Sequence, residues 1–284
     1  SVARRYEIMF VDDGSTDGSL EIIKSFGHQI RWETGPNRGG NVARNRLLEM
    51  ASGDWLQYLD ADDYLLCQKV EHQLAAAVDG TSVDVVYSSV TVETWGDGHV
   101  LEHRVSELFP ERSVEEQWVR WQVAQTGAVL WRRQALIDVG GWSESLPCCQ
   151  DNEVTMRAIM KGLKFYHISG ADAVYRIWSE ETVCRKAPSK VIEVKTQLVD
   201  QMLEWLRGNG RDTRSVEKAA GQCFFEMART LAKTDLDTAT EYARDRLRKG
   251  TFLAVGPAAP ASYRALLPWL GFRVTELLAT LLRK

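Results

Sequence analysis

The sequence has no uninterrupted apolar run long enough to cross a bilayer, no signal peptide and no block of basic residues. The first absence excludes a membrane-spanning helix. The last, with 35 basic against 39 acidic residues and a net charge of -4, argues against a nucleic-acid polyanion as partner. Cysteine is sparse as well: Cys67, Cys148, Cys149, Cys184 and Cys223 make five, an odd number without zinc-ligand spacing. That usage points to a reduced, cytoplasmic protein. The chain starts at Ser1 in mid-pattern, which raises the expectation of a fragment.

What is present suits one large or two modest globular domains, since 284 residues at 44% hydrophobic content supply an ample core. Up to about residue 180, short apolar runs alternate with helical patterns. A helix capped by Asn41 and ending at Gly53 is followed by the apolar run Trp55 to Leu59, then by "DADD" and a helix that starts near Tyr64 and runs through Val70, Leu74 and Val78. Residues 83 to 105 read as strands around the turn Gly96-Asp97-Gly98, and a helix is expected from Glu115 to Trp121. "TGAVLWRRQALIDVGGW" reads as a strand and a short helix, and two short strands around Phe165 and Val174 close this region. Beyond Pro188 the periodicity is helical, and Glu217 to Gly250 looks like a helical hairpin. The expected division is 1–185 for the α/β part and 186–284 for a helical extension. The last helix carries Leu267, Leu270, Val274, Leu277 and Leu281 on one stripe, expected to pack on the protein, with a peripheral membrane contact as the alternative.

The stretch "IMFVDDGSTDGS" admits two readings. Asp13, Ser15, Asp17 and Gly18 fall where a calcium loop wants its first oxygens and its glycine, but the position for the bidentate Glu is Lys24. The leading Ile8, Met9, Phe10 and Val11 form a buried strand rather than a helix, so the stretch is the start of a βα unit with Ser15, Thr16 and Asp17 available as caps. Ligands gather at such strand ends. Asp60, Asp62 and Asp63 crowd one turn after another apolar run, where like charges repel unless something neutralises them. Magnesium or manganese suits these oxygen-only groups. A solvated acidic turn capping a helix is the plain alternative.

The segments "YEIMFVDDGSTDGS", "PNRGGNVARNRLLEMASGDWLQYLDADD", "TGAVLWRRQALIDVGGW" and "QDNEVTMRAIMKG", in this order, resemble glycosyltransferase family 2 over residues 1 to about 180. The resemblance implies a GT-A fold, Rossmann-like, with a mixed sheet flanked by helices. It also implies an inverting enzyme that transfers a sugar from a nucleotide-sugar, most often a UDP-sugar, to a glycan or lipid-linked acceptor. By the same resemblance Asp12, Asp13 and Arg44 bind the donor nucleotide, Asp60 and Asp62 form an acidic pair in which Asp62 holds a divalent metal and Asp60 lies near the donor ribose or the metal, and Asp151 is the base that deprotonates the acceptor. Asp151 as a plain helix cap, and Arg44 as an exposed helix residue, are the alternatives.

Three departures from the family pattern stand out. Gln150 replaces the usual Glu before the base, Trp178 stands where many members carry a metal-binding His, and the family's first strand and helix are missing before Ser1-Val2. A nucleotidyltransferase would want a glycine- and basic-rich phosphate loop near the amino terminus, which is not visible. A non-catalytic nucleotide-sugar binder would lack the base.

Overall fold

The computed structural model describes residues 6–78, 82–123, 125–178, 187–211 and 213–282. Ser1, Val2, Cys184, the expected division at residue 185, Arg283 and Lys284 lie outside them. The chain falls into two compact units, Ser1–Pro110 with Gln122–Ser179, and Glu111–Trp121 with Glu180–Lys284. The helix expected near Glu115 is therefore part of the second unit.

In the first unit the apolar run after Ile8 becomes β1 (Met9–Asp12), parallel to β2 (Arg31–Thr34), a strand that sequence reading missed. α1 (Ser19–Ser25) connects them, with Asp17 accepting the backbone N–H of Ser19 just before it. α2 (Gly40–Met50) follows. Its N-cap is Gly39, not Asn41: Asn41 lies inside the helix, buried, because its amide donates to the carbonyl of Ser143 at 2.6 Å.

β3 (Trp55–Gln57) ends three residues before Asp60, and the helix expected from Tyr64 is absent. Tyr64–Leu65 is instead β4, because Tyr64 and Leu65 pair antiparallel with Val174 and Ala173. The helix starts later, as α3 (Lys69–Val78). β5 (Val85–Tyr87), β6 (Val90–Gly96) and β7 (His99–Val105) come next, then α4 (Val114–Val119) of the second unit. The first unit resumes with β8 (Val129–Arg132), α5 (Arg133–Asp138), α6 (Gln150–Met160), β9 (Phe165–His167) and β10 (Ala173–Ile177).

Three sheets result among the described residues: β1-β2, β3-β8-β5-β9 and β4-β10-β6-β7. β5 lies between β8 and β9 and is apolar and buried along its whole length, as a strand covered on both faces should be. Val86 and Leu130 form its core with Ala77 and Val83. The other four-stranded sheet turns Val90, Val92 and Ala173 onto Ala128, so the strand carrying Arg176 and the short 3-10 turn Thr126–Ala128 are held against each other.

The second unit holds α4 together with α7 (Pro188–Gly208), α8 (Arg214–Leu231), α9 (Leu236–Arg248) and α10 (Ala261–Leu281). α8 packs against α4, α7 and α9 and buries Phe224, Phe225 and Ala228 completely. The stripe expected to pack along α10 does so only at Leu267. Gly271, with φ 69° and ψ 171°, interrupts the helix, so residues beyond it no longer continue the phase that the sequence pattern assumed. Phe272, Thr275 and Glu276 turn inward instead, Glu276 pairing with buried Arg229 at 2.5 Å. Leu270, Val274, Leu277 and Leu281 are exposed, as are Trp269 and Leu282. No helix among the described residues is long and apolar enough to cross a membrane.

Candidate active site

At the end of β1 the two aspartates organise the backbone. Asp12 accepts from Ser15 N–H and from the Thr34 hydroxyl at 2.6 Å, bonds that hold its carboxyl below the usual range. Asp13 accepts from the backbone of Arg38 at 2.7 Å and of Gly39 at 2.8 Å, which fixes the loop leading into α2. Gly14 is required directly after them: its φ is +79°, and a Cβ there would lie 2.7 Å from the Asn37 nitrogen. A cleft of about 310 Å³, the scale of a small-molecule site, is lined by Asp12, Asp13, Thr34, Pro36, Arg38 and Ala43 among others.

Arg44 projects from α2 and is mostly buried, its side chain 16% exposed. It donates to Asp60 at 2.6 Å and to Gln150 at 3.3 Å. Burial pulls its pKa down, but Asp151 and Asp60 outweigh that and raise it, so it stays a cation. It is not the exposed helix residue of the plain reading. Gln150, in the place where the family has Glu, accepts from this cation without adding a charge.

Asp151 lies in the first turn of α6, whose N-cap is Cys149, so it is not a helix cap. Its two oxygens accept from the Thr126 hydroxyl at 2.7 Å and from the Trp142 indole at 3.2 Å. Trp142 is fixed by the Tyr58 ring, edge-on at 4.5 Å, and by Asn45, which accepts its backbone N–H at 2.8 Å. Burial raises the Asp151 pKa against the pull of Arg44, and a more basic carboxylate is the better proton acceptor. Glu153 and Arg157, four residues apart on α6, pair at 2.7 Å, with Arg157 also donating to the Gly141 carbonyl.

The three aspartates after β3 have separate fates. Asp60 holds Arg44, while Asp63 is buried and accepts from Gln125 at 3.0 Å and from the Arg176 backbone at 2.9 Å. Burial pushes the Asp63 pKa up to about 7. Among the described residues the Asp62 carboxylate makes no hydrogen bond or ion pair, and only its backbone carbonyl is engaged, by Arg176 and Trp178. Asp60, Arg44, Gln150 and Asp151 thus form one electrostatic unit, with Asp62 at its edge. β3 and β1 are not bonded to each other, so the acidic turn and Asp13 do not end neighbouring strands.

No group of three or more His, Cys, Asp or Glu side chains able to hold a metal occurs among the described residues. Trp178 adds no ligand, since an indole nitrogen only donates. One uncommitted carboxylate with a second beside it still fits magnesium or manganese, which are held by one or two carboxylates plus substrate phosphates. Sequence reading missed Thr126, Gln125, Trp142 and Asn45. None of them carries a charge, and only the folded chain brings Thr126 and Trp142 to Asp151.

Residues 1–140 match the family model described as Glycosyl transferase family 2. An uncharacterized glycosyltransferase of Haemophilus influenzae is 42% identical over 72 residues, 24% of this chain and 29% of that protein. Glycosyltransferase AglE of Haloferax volcanii is 31% identical over 170 residues, 57% of this chain and 55% of that protein, so the matches span about half the length of these relatives or less. Among solved structures, S. aureus TarS 1-349 in complex with UDP-GlcNAc aligns over 86% of this chain and 83% of its own, with 20% identity and a TM-score of 0.54. Uncomplexed TarS 1-349 aligns over 95% of this chain and 78% of its own, at 18% identity and a TM-score of 0.60. The fold is that of GT-A glycosyltransferases, and residues 1–140 of the chain belong to glycosyl transferase family 2.

Proposed function

We propose that the protein is a metal-dependent inverting glycosyltransferase that moves a sugar from a nucleotide-sugar, with a UDP-sugar as the first choice, to a hydroxyl of a glycan or lipid-linked acceptor. The observation that carries this reading is that Arg44 bridges the donor-side acid Asp60 and the turn bearing Asp151, with 2.6 Å to the first and 3.3 Å to Gln150 beside the second. A base and a leaving-group site must lie on opposite sides of the anomeric carbon for a single displacement with inversion, and this cation links the two. UDP-GlcNAc in the TarS complex, a protein of the same fold, is in keeping with a UDP-sugar donor.

In this reading Asp12, Asp13 and Arg44 shape the donor site, and Asp151 takes the proton of the acceptor hydroxyl. Thr126 and Trp142 keep its carboxylate aimed while leaving it lone pairs to accept with. Asp62, with Asp60 beside it, would hold Mn2+ or Mg2+, which supplies Lewis-acid stabilisation of the charge on the departing diphosphate. The exposed stripe of α10, with Trp269 87% exposed, favours a cytoplasmic protein that touches the inner face of the membrane peripherally. Product analysis with a panel of nucleotide-sugars, comparing wild type with Asp151→Asn, tests the proposal: a glycosidic product with inverted configuration is expected, and no transfer from any donor overturns it.

A further inference from the structure

The outer face of the sheet β4-β10-β6-β7 carries a ladder of flat groups beside the acidic turn. The Trp95 and Trp178 rings stack with centroids 4.3 Å apart at 25°. The Arg176 guanidinium lies over the Trp178 ring at 4.7 Å and over the Tyr64 ring at 5.6 Å. Glu93, buried, clamps both ends, accepting from the Tyr64 hydroxyl at 2.8 Å and from the Trp95 indole at 3.0 Å. Strand register explains the order, since β10 runs parallel to β6 with Arg176 opposite Glu93, which sets Trp178 beside Trp95.

Arg176 is thereby fixed at three points. Its backbone N–H goes to Asp63 at 2.9 Å, its Nε to the Asp62 carbonyl, and its plane to two rings. Among the described residues Nη1 and Nη2 nevertheless find no hydrogen-bond acceptor, and the guanidinium no ion-pair partner. A cation held rigid with its outer donors unused, next to the carboxylate that is itself uncommitted, is organised for a ligand bearing the opposite charge. Stacked guanidinium groups bind phosphate oxygens in this way, and holding the side chain beforehand lowers the entropy lost on binding.

We infer that Arg176 binds a diphosphate oxygen of the donor, and that Trp178, at the position of a family metal ligand, serves to orient this cation. The inference rests on the nucleotide-sugar reading above and assigns that reading a binding residue. Two donors beyond Nε are enough for a bidentate contact, which a lysine cannot make.

The probes are inorganic pyrophosphate, UDP, GDP and the free nucleosides, titrated calorimetrically in EDTA and again with manganese. Arg176→Gln should weaken pyrophosphate and both nucleoside diphosphates by roughly 10- to 100-fold, the range of charge-assisted hydrogen bonds, and leave the nucleosides unchanged. The circular-dichroism couplet of the stacked Trp95 and Trp178 reports whether the ladder survives. Arg176→Met, whose linear stem still fits between the rings, replaces Arg176→Gln if the couplet is lost there. Unchanged pyrophosphate affinity in the variant that keeps the couplet overturns this inference alone, as does loss of the couplet in both variants, which would mean that Arg176 holds the rings and not the anion. A wild type that binds no diphosphate with or without manganese, and forms no product, overturns the inference together with the reading beneath it.

Discussion

Thr126 Oγ1 lies 2.7 Å from Asp151 Oδ2, across 25 residues of chain, and turns a carboxylate in the first turn of α6 into one with a fixed direction. Asp151→Asn keeps both contacts, because an amide oxygen can take the Trp142 N–H and an amide N–H can reach the Thr126 hydroxyl. It removes only basicity. Turnover should fall by roughly 10²- to 10⁴-fold with donor affinity retained, measured as kcat and donor Kd side by side. Unreduced turnover in a folded variant would remove Asp151 from the chemistry.

The Asp62 carboxylate has no partner among the described residues, so Asp62→Ala should cost little stability. It should abolish the calorimetric signal of manganese with UDP. Asp60→Ala is expected to behave differently, because it strands a mostly buried Arg44; melting temperature should drop as well as donor affinity. Equal behaviour of the two variants would contradict the separate fates described above.

Asp63 sets a pH dependence of stability. Its pKa is raised by burial from 3.8 to about 7 in the folded chain, so between these values the folded state binds more protons than the unfolded one. Stability from this group is full below the unfolded value and is lost as the pH rises through about 7. Thermal melts from pH 4 to pH 8 should fall with pH in the wild type, and the fall should be shallower in Asp63→Asn. Parallel profiles would assign the slope to other groups.

Gly14→Ala tests the turn after β1. The residue must hold φ +79° and admit a Cβ 2.7 Å from the Asn37 nitrogen, so the Asp12 and Asp13 contacts have to shift. A loss on the order of 1–3 kcal/mol is expected, with weaker nucleotide binding. Gly18→Ala, where nothing lies within 4 Å and φ is -75°, is the control and should melt like wild type.

Acidic residues after apolar runs advertise strand ends, and Asp12 does end β1, where it bonds Ser15 and Thr34; Asp60 and Asp151, singled out by the family resemblance, meet instead around Arg44. Tyr64 was misread because its local pattern suits a helix, while its strand pairing is with Val174, more than a hundred residues away. Thr126 and Trp142 stand only 25 and 9 residues from Asp151, but neither carries a charge for a local rule to pick out. Along α10 the period was right and the phase was not, since a positive φ at Gly271 leaves no trace in the hydrophobic pattern. Asn41 illustrates the converse: a good cap residue lies inside the helix, where its amide donates to the Ser143 carbonyl.

Helix α2 has a consequence for the order of events in folding. Asn41, Asn45 and Arg44 reach Ser143, Trp142 and Gln150 across 102, 97 and 106 residues, so one face of an eleven-residue helix waits for partners made much later. Contacts of such separation carry a large loop-closure cost and form slowly. During synthesis β1 can pair with β2 and β6 with β7 while Arg44 has no Gln150 beside it, whereas β3, β4 and β5 wait for β8 to β10, and the cluster around Asp151 closes only when α6 has emerged. The cluster is therefore a late product of the fold rather than its nucleus, and an early break in the hydrogen bonds of α2 would open it while most of the strand pairing still stood.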